Sequence, residues 1–214
     1  MEGSGMMGLL SGGVLLCMAV LNGMKTIWGF QYFREKQESF WKVWNSRFFY
    51  IIAGISLLVY TGLFFAGGHR FYFLKYADLI YTYTLLAAVD IRTRKVPDRV
   101  LAAYLAGQFL MTGAEGAYQI LTILFPGGLL FAGAVLLAAL TSAGRLGMGD
   151  AKLLAVTALT AGWSYTLQIL CAGMLISMLY GILMLIFRRL SSKSEIPFVP
   201  FLCIGVVIHF VWLL

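Results

Sequence analysis

The chain has 214 residues, of which 61% are hydrophobic and only 12% are charged. Soluble domains are about 45–50% apolar and about 25% charged, so the composition excludes a single water-soluble globule and indicates a membrane protein. The formal net charge of +7 would suggest nucleic-acid binding in a soluble protein. In a membrane protein the positions of the positive residues matter more, because they mark the cytoplasmic side; no nucleic-acid partner is expected.

Eight apolar runs follow one another along the chain, and each is predicted to form a helix across the bilayer, because backbone groups in hydrocarbon must be satisfied within their own segment. One crossing needs about 20 residues, so the runs and short loops fill the chain and leave no room for a separate soluble domain. The first and last runs are short, and the predicted fold is an all-α bundle of six to eight spans. The runs cover residues 6–24, 48–68, 71–89, 100–113, 119–143, 153–170, 171–187 and 198–214.

The predicted bundle has two parts. Residues 1–70 form two N-terminal spans joined by a connector, residues 25–47, which mixes charged and aromatic side chains. Within this connector, residues 31–47 form either an interfacial helix on the cytoplasmic leaflet or a solvated link. Residues 71–214 form the core.

The positive residues orient the bundle. All 16 lysines and arginines except Arg70 and Lys75 lie after the first, third, fifth and seventh runs. Because short loops rich in Lys and Arg stay in the cytoplasm, these four loops are predicted to be cytoplasmic and both termini to lie outside.

Two acidic residues stand at the predicted cytoplasmic boundary. Asp90 ends the third span and Asp150 opens the sixth. A carboxylate near hydrocarbon is costly unless it faces the bundle interior, so we expect the two side chains to meet there. Two adjacent carboxyl groups hold one proton between them, as in aspartic proteases, where the anion activates water and the acid polarises the scissile carbonyl.

The helix dipoles suggest how that proton is shared. Asp150 lies at a positive helix end and Asp90 at a negative one, so Asp150 is predicted to be the resting base and Asp90 the resting acid. Gly147 and Gly149 can adopt positive φ and admit a close backbone approach, which would turn Asp150 inward. The alternative is that they are only turn glycines. No His/Cys/carboxylate cluster occurs, so neither a metal nor a cofactor is expected.

Three segments together resemble the type IV prepilin peptidases, a GxGD class of membrane aspartic proteases, over about residues 71–214. They are DIRTRKVPD at 90–98, GMGDAKL at 147–153 and IPFVPF at 196–201. The resemblance implies an endopeptidase of the inner membrane that removes the basic leader of prepilin-like (class III signal peptide) precursors, on the cytoplasmic side and just before their hydrophobic helix. It implies catalysis by Asp90 and Asp150, with Gly147 and Gly149 in the supporting loop.

Other positions have less specific interpretations. Arg92, Arg94, Lys95 and Lys152 are candidate contacts to an acidic residue of the substrate, although cytoplasmic topology also explains them. Longer family members carry paired cysteines for N-methylation of the product; Cys17, Cys171 and Cys203 are far apart, so methyl transfer is not expected.

Two further acids are predicted to be structural. Asp98 is expected to stabilise the start of a helix, and Asp78 to pair with Lys75 on its own helix.

Two alternatives to a peptidase are a proton-coupled transporter and a non-catalytic scaffold. A transporter would place its acids near the midplane, on broken helices in paired halves. Here the acids stand at the boundary and no repeat is visible, although Pro126 and two glycines interrupt the fifth run. A scaffold would have no need of both acids.

Overall fold

The computed structural model describes residues 2–33, 47–66, 72–116, 127–141, 147–187 and 197–213. Within these ranges the chain is helical and contains no strand, so the predicted all-α class is confirmed. The helices are α1 (Glu2–Phe33), α2 (Arg47–Ala66), α3 (Tyr72–Thr93), α4 (Asp98–Glu115), α5 (Leu129–Thr141), α6 (Met148–Ala161), α7 (Trp163–Ile186) and α8 (Val199–Leu213).

The described helices follow the apolar runs in chain order, but α7 begins inside the sixth run, so the boundary between the sixth and seventh helices differs from the prediction. The chain breaks at Gly162, not near residue 170. Gly162 has φ +92°, and its amide donates to the Ala158 carbonyl across 3.2 Å. Hydropathy is continuous through this point, so the only sequence signal was a glycine that can adopt a left-handed conformation and end a helix.

Among the described residues, two helical stretches are long and apolar enough to cross a membrane, Ser11–Gln31 and Trp163–Ile186. Two more, Leu129–Thr141 and Val199–Val211, are apolar but shorter. The remaining spans and the position of the termini stay predictions.

The largest buried cluster joins α3, α4, α6, α7 and α8. Its fully buried members include Tyr83, Tyr104, Leu153, Ile169 and Leu202.

Hydrogen bonds between hydroxyl groups join the helices of this core at specific positions. Tyr83 on α3 bonds Thr157 on α6 at 2.7 Å, and Tyr104 on α4 bonds Thr160 on α6 at 3.1 Å. Apolar packing alone resists sliding weakly, whereas these bonds have preferred distances and angles. They fix α6 against both α3 and α4.

The other helices pack around this core. Helix α1 contacts α2, α3 and α4, around a second cluster that includes Met18, Tyr60 and Met111. Helix α5 packs on α6 through small side chains, among them Ala132, Ala155 and Ala158.

Two predictions about buried or paired lysines and acids are wrong. Lys25 is not in a connector, because α1 continues to Phe33; its side chain is completely buried and forms an ion pair with Asp78. Asp78 therefore does not pair with Lys75, which instead bonds Glu115 on α4. A lysine can lie in an apolar interior when a carboxylate meets it there. Most of the predicted connector, residues 34–46, lies outside the described residues.

Candidate active site

Asp90 lies in the last turn of α3 and is 6% exposed. Its Oδ2 accepts a hydrogen bond from the backbone N–H of Val199 at 3.2 Å, and a second backbone bond comes from Phe198. Both donors stand where α8 begins. The positive end of α8 is therefore directed at the carboxylate of Asp90.

A four-residue loop, 94–97, follows α3 and leads directly into α4. The amide of Arg94 donates to the Asp90 carbonyl at 2.9 Å, and Arg94 itself has φ +52°. Pro97 then takes an extended conformation, with φ −68° and ψ 119°, and α4 starts at Asp98. Proline favours an extended residue before it and suits a helix start, so this sequence holds Asp90 and Asp98 at the same end of the bundle. The predicted position of Asp98 in the first turn is confirmed.

Asp150 lies in the first turn of α6, behind a helix start formed by glycine. Gly147 is the N-cap residue, and its carbonyl accepts from the Ala151 amide at 3.1 Å. Asp150 is partly buried. A Cβ added to Gly147 would lie 3.0 Å from Oδ2 of Asp150, so the bare Cα leaves the carboxylate open on that side.

Asp90, at the end of α3, and Asp150, at the start of α6, line a single cavity of about 310 Å³. The lining also contains Val96, Met148 and Asp98. The cavity thus joins the end of α3 to the start of α6, which are distant in sequence. The expectation that the two acids meet at one level agrees with this geometry.

Burial raises the pKa values of both acids, and different neighbours act on each of them. Burial, followed by the negative charge of Asp90, raises the pKa of Asp150 to about 6. Burial also raises the pKa of Asp90, but the Val199 and Phe198 amides and then Arg94 oppose the shift. At intermediate pH the anion is therefore on Asp90 and the proton on Asp150.

This distribution is the reverse of the sequence prediction. The dipole of the helix on which each acid lies would favour the anion at Asp150, but other helices also act on the two acids. Asp90 is indeed at the negative end of α3, but it also meets the positive end of α8. Two directed N–H donors stabilise an anion more than the diffuse field of a helix end destabilises it.

The glycines act through close packing and not through positive φ. Gly147 has φ −61°, and Gly149 is inside α6. A Cβ on Gly149 would lie 3.0 Å from Cγ2 and 3.1 Å from Cβ of Val96. Gly149 therefore lets the start of α6 pack directly against the loop that follows Asp90, whereas the expected left-handed conformation does not occur at either residue.

Three of the four candidate substrate contacts line the cavity: Arg94, Lys95 and Lys152. Arg92 is exposed and is not among the described residues that line it. The Lys152 ammonium contacts both carboxylate oxygens of Asp98, at 2.9 and 3.0 Å. This rim pair links the start of α4 to the first turns of α6.

Three residues at this site were not predicted from the sequence. Phe198 and Val199, whose amides bond Asp90, belong to the IPFVPF segment. Pro197 and Pro200 bracket these two amides, and a proline-rich helix start is a signal for exposed N–H donors. No sequence pattern identifies Val96 as the packing partner of Gly149.

Residues 77–182 fit the model of the type IV leader peptidase family. Through that region the chain belongs to this family. The match contains both acids of the cavity, the loop 94–97 and the two glycines, so the predicted resemblance is confirmed. Neither the curated proteins nor the solved structures searched give a significant match.

Membership supports a type IV leader peptidase-like protease in general. The matched region begins inside α3 and ends inside α7, so α1 and α2 lie outside it, as does α8 with its two donors to Asp90.

Proposed function

We propose that the protein is a membrane-embedded aspartic endopeptidase that cleaves the leader from prepilin-like precursors at the cytoplasmic membrane boundary. The observation that carries the proposal is the cavity lined by Asp90 and Asp150, which come from opposite helix ends. Family membership supports peptidase chemistry. The position of the two acids, at helix ends around an open cavity, also favours a peptidase over a transporter.

The chemistry assigned to the pair needs one proton and one water molecule. Anionic Asp90 accepts a proton from water, and the resulting hydroxide attacks the scissile carbonyl carbon. Asp150 donates its proton to the carbonyl oxygen, which gives a neutral tetrahedral diol. Collapse of the diol breaks the C–N bond, and the amine leaves with a proton returned through the carboxyl pair.

The same proposal assigns the protein to the inner membrane, as a multi-pass protein with its site toward the cytoplasm. Helix α7 supports it: Leu175, Met178, Leu179 and Leu183 are each more than half exposed. A contiguous apolar surface of this kind suits lipid contact. The distribution of Lys and Arg supports the orientation.

The substrate assigned is a precursor with a basic leader and a hydrophobic helix. The helix would remain in lipid while the charged leader stays in water, so the scissile bond would lie at the depth of the two acids. Arg94, Lys95 and Lys152 are available to contact carbonyl or acidic groups of the substrate near the cavity. Pilus assembly or protein secretion is the process that such a substrate implies.

The test is co-expression with a prepilin and measurement of leader removal by a mobility shift. We expect Asp90→Asn and Asp150→Asn each to abolish the shift, because either variant removes one half of the proton-sharing pair. Glu115→Gln is the matched control, since Glu115 pairs with Lys75 at the far end of α3, and it should retain cleavage. Continued cleavage in either Asn variant, at equal protein level, would reject the aspartic mechanism.

A further inference from the structure

A buried polar cluster lies on α3 below the cavity and joins it to the helices outside the family match. Lys25 on α1 and Asp78 on α3 are both completely buried and form an ion pair. Asp78 also accepts from the Tyr60 hydroxyl on α2 at 3.1 Å and from the Gln108 amide on α4 at 3.1 Å. Three separate helices thus hold one carboxylate of α3.

Lys25 adds further contacts that fix its own position. Its ammonium bonds the Thr82 hydroxyl at 3.2 Å, one turn after Asp78. It also lies 5.7 Å from the ring centroid of Tyr81 and 5.8 Å from that of Tyr104, within the range of cation–π attraction. The Lys25 ammonium therefore binds two successive turns of α3.

This cluster and the cavity share a helix. Asp78 and Asp90 are both on α3, and 12 residues of α-helix span about 18 Å. A helix transmits translation and rotation along its axis, so a group that fixes Asp78 also fixes the depth and direction of Asp90. Apolar packing between α1 and α3 would tolerate sliding, whereas this bonded cluster has one register.

We propose that the Lys25–Asp78 pair, with Tyr60 and Gln108, is a positioning site that sets the register of α3 and thereby the distance between Asp90 and Asp150. The inference rests on the proposed peptidase function for its effect on turnover, but not for its effect on geometry. It assigns α1 and α2 a role in the active site, although none of their described residues lines the cavity.

The test replaces the pair by apolar side chains of similar size, Lys25→Met with Asp78→Leu. A buried ion pair can often be replaced in this way without loss of stability, so the variant separates positioning from folding. The matched control is Lys75→Met with Glu115→Leu, which removes a different Lys–carboxylate pair, one that joins α3 to α4.

Two measurements are made on the purified proteins. The first is leader cleavage: we expect kcat to fall about tenfold with KM nearly unchanged, since small misplacement of reacting groups is costly, while the control stays within about twofold of the parent. The second is a spin-label distance between Ile91 and Met148, both exposed, at the two helix ends. We expect a shift of about 1.5 Å or more, the rise of one helical residue, in the test variant alone.

The distance keeps the inference separate from the proposed function. If the parent itself cleaves no leader, the proposed function fails, and the distance still decides the positioning role. Parental kcat and parental distance in the test variant would overturn the inference. So would a loss of activity that is fully explained by loss of folded protein, with the remaining folded fraction unchanged in both measurements.

Should Lys25→Met with Asp78→Leu not accumulate in the membrane, Tyr60→Phe with Gln108→Met decides. This pair of changes removes two hydrogen bonds to Asp78 but keeps the ion pair. We expect a fall in kcat of about threefold together with a broadened label distance, because loosened contacts permit a wider range of reacting geometries. An unchanged kcat and distance distribution would overturn the inference.

Discussion

The backbone N–H of Val199 donates to Oδ2 of Asp90 across 3.2 Å and so ties the start of α8 to the end of α3. The bond aims a preorganised donor at one of the two acids in the cavity. Asp150 also lies at a helix start, but there burial and the charge of Asp90 outweigh the dipole and raise its pKa. The two carboxyl groups are thereby made unequal, which a base and an acid require.

The first prediction concerns the alkaline limb of the pH–rate profile. Since Asp150 must keep its proton to act as the acid, kcat/KM should be maximal below a pKa of about 6 and fall above it. The slope should approach tenfold per pH unit for a single ionisation. Rates of leader cleavage measured across the acidic to neutral range check this, and a profile still rising through neutral pH would contradict the assignment of the acid.

Arg94 should control the opposite limb. Its charge lowers the pKa of Asp90, so Arg94→Gln is expected to shift the acidic limb to higher pH, because Asp90 then becomes protonated earlier. The alkaline limb should move less. Measurement of the full profile in both proteins separates the two limbs, and an unchanged acidic limb would remove Asp90 from the role of base.

Arg94→Gly separates backbone strain from charge. Arg94 has φ +52°, which costs a non-glycine residue about 1 kcal/mol. We therefore expect Arg94→Gly to shift the acidic limb as Arg94→Gln does, but to unfold at a higher temperature than Arg94→Gln. Thermal unfolding of the two variants in the same detergent is the measurement; a lower unfolding temperature for the glycine variant would contradict this account of the loop.

Features that depend on residues close together in sequence were mostly predicted correctly, whereas hydrogen bonds and ion pairs between residues far apart in sequence were not. Hydropathy located the helices because the apolar character of each helix lies in its own residues. The shared position of Asp90 and Asp150 at the predicted membrane boundary indicated that they line one cavity. The resting proton was assigned wrongly because Val199 is 109 positions from Asp90, and no local pattern reveals such a donor. The predictions for Lys25 and Asp78 were wrong for the same reason. A lysine that is buried in a distant ion pair has the same local sequence pattern as a lysine in a loop.

Gly149 offers a test of close packing at the site. Gly149→Ala would bring a Cβ to 3.0 Å from Cγ2 of Val96, so the loop after Asp90 must move away from α6. We expect cleavage to fall about tenfold or more, since a displacement near 1 Å has large effects on rate. Adding Val96→Ala should restore part of the activity, because it removes the group that collides.

The control for Gly149→Ala is Gly133→Ala in α5, where an added Cβ meets nothing within 4 Å. Alanine favours helix over glycine by about 1 kcal/mol, so this control should be active and at least as stable as the parent. If Val96→Ala gives no recovery, the effect of Gly149→Ala comes from something other than this contact.

The last prediction is that Asp150 lowers the stability of the fold above its pKa. The folded pKa is raised from 3.8 to about 6, so the folded state binds the proton more tightly than the unfolded state does. The stabilisation that comes from protonated Asp150 is fully present below the pKa of the unfolded state. It is lost as the pH rises through the pKa of the folded state. Asp150→Asn removes the charge, and we expect it to raise the unfolding temperature near neutral pH but not at acidic pH.

Asp90→Asn provides the comparison within the same pair. Its anion is stabilised by the Val199 and Phe198 amides and by Arg94, so neutralising it should give a smaller gain at neutral pH than Asp150→Asn. Thermal unfolding of both variants and the parent at two pH values measures the difference. Equal gains would mean that burial destabilises the two carboxylates to the same extent, and the asymmetry proposed for acid and base would then have no basis in the protein's electrostatics.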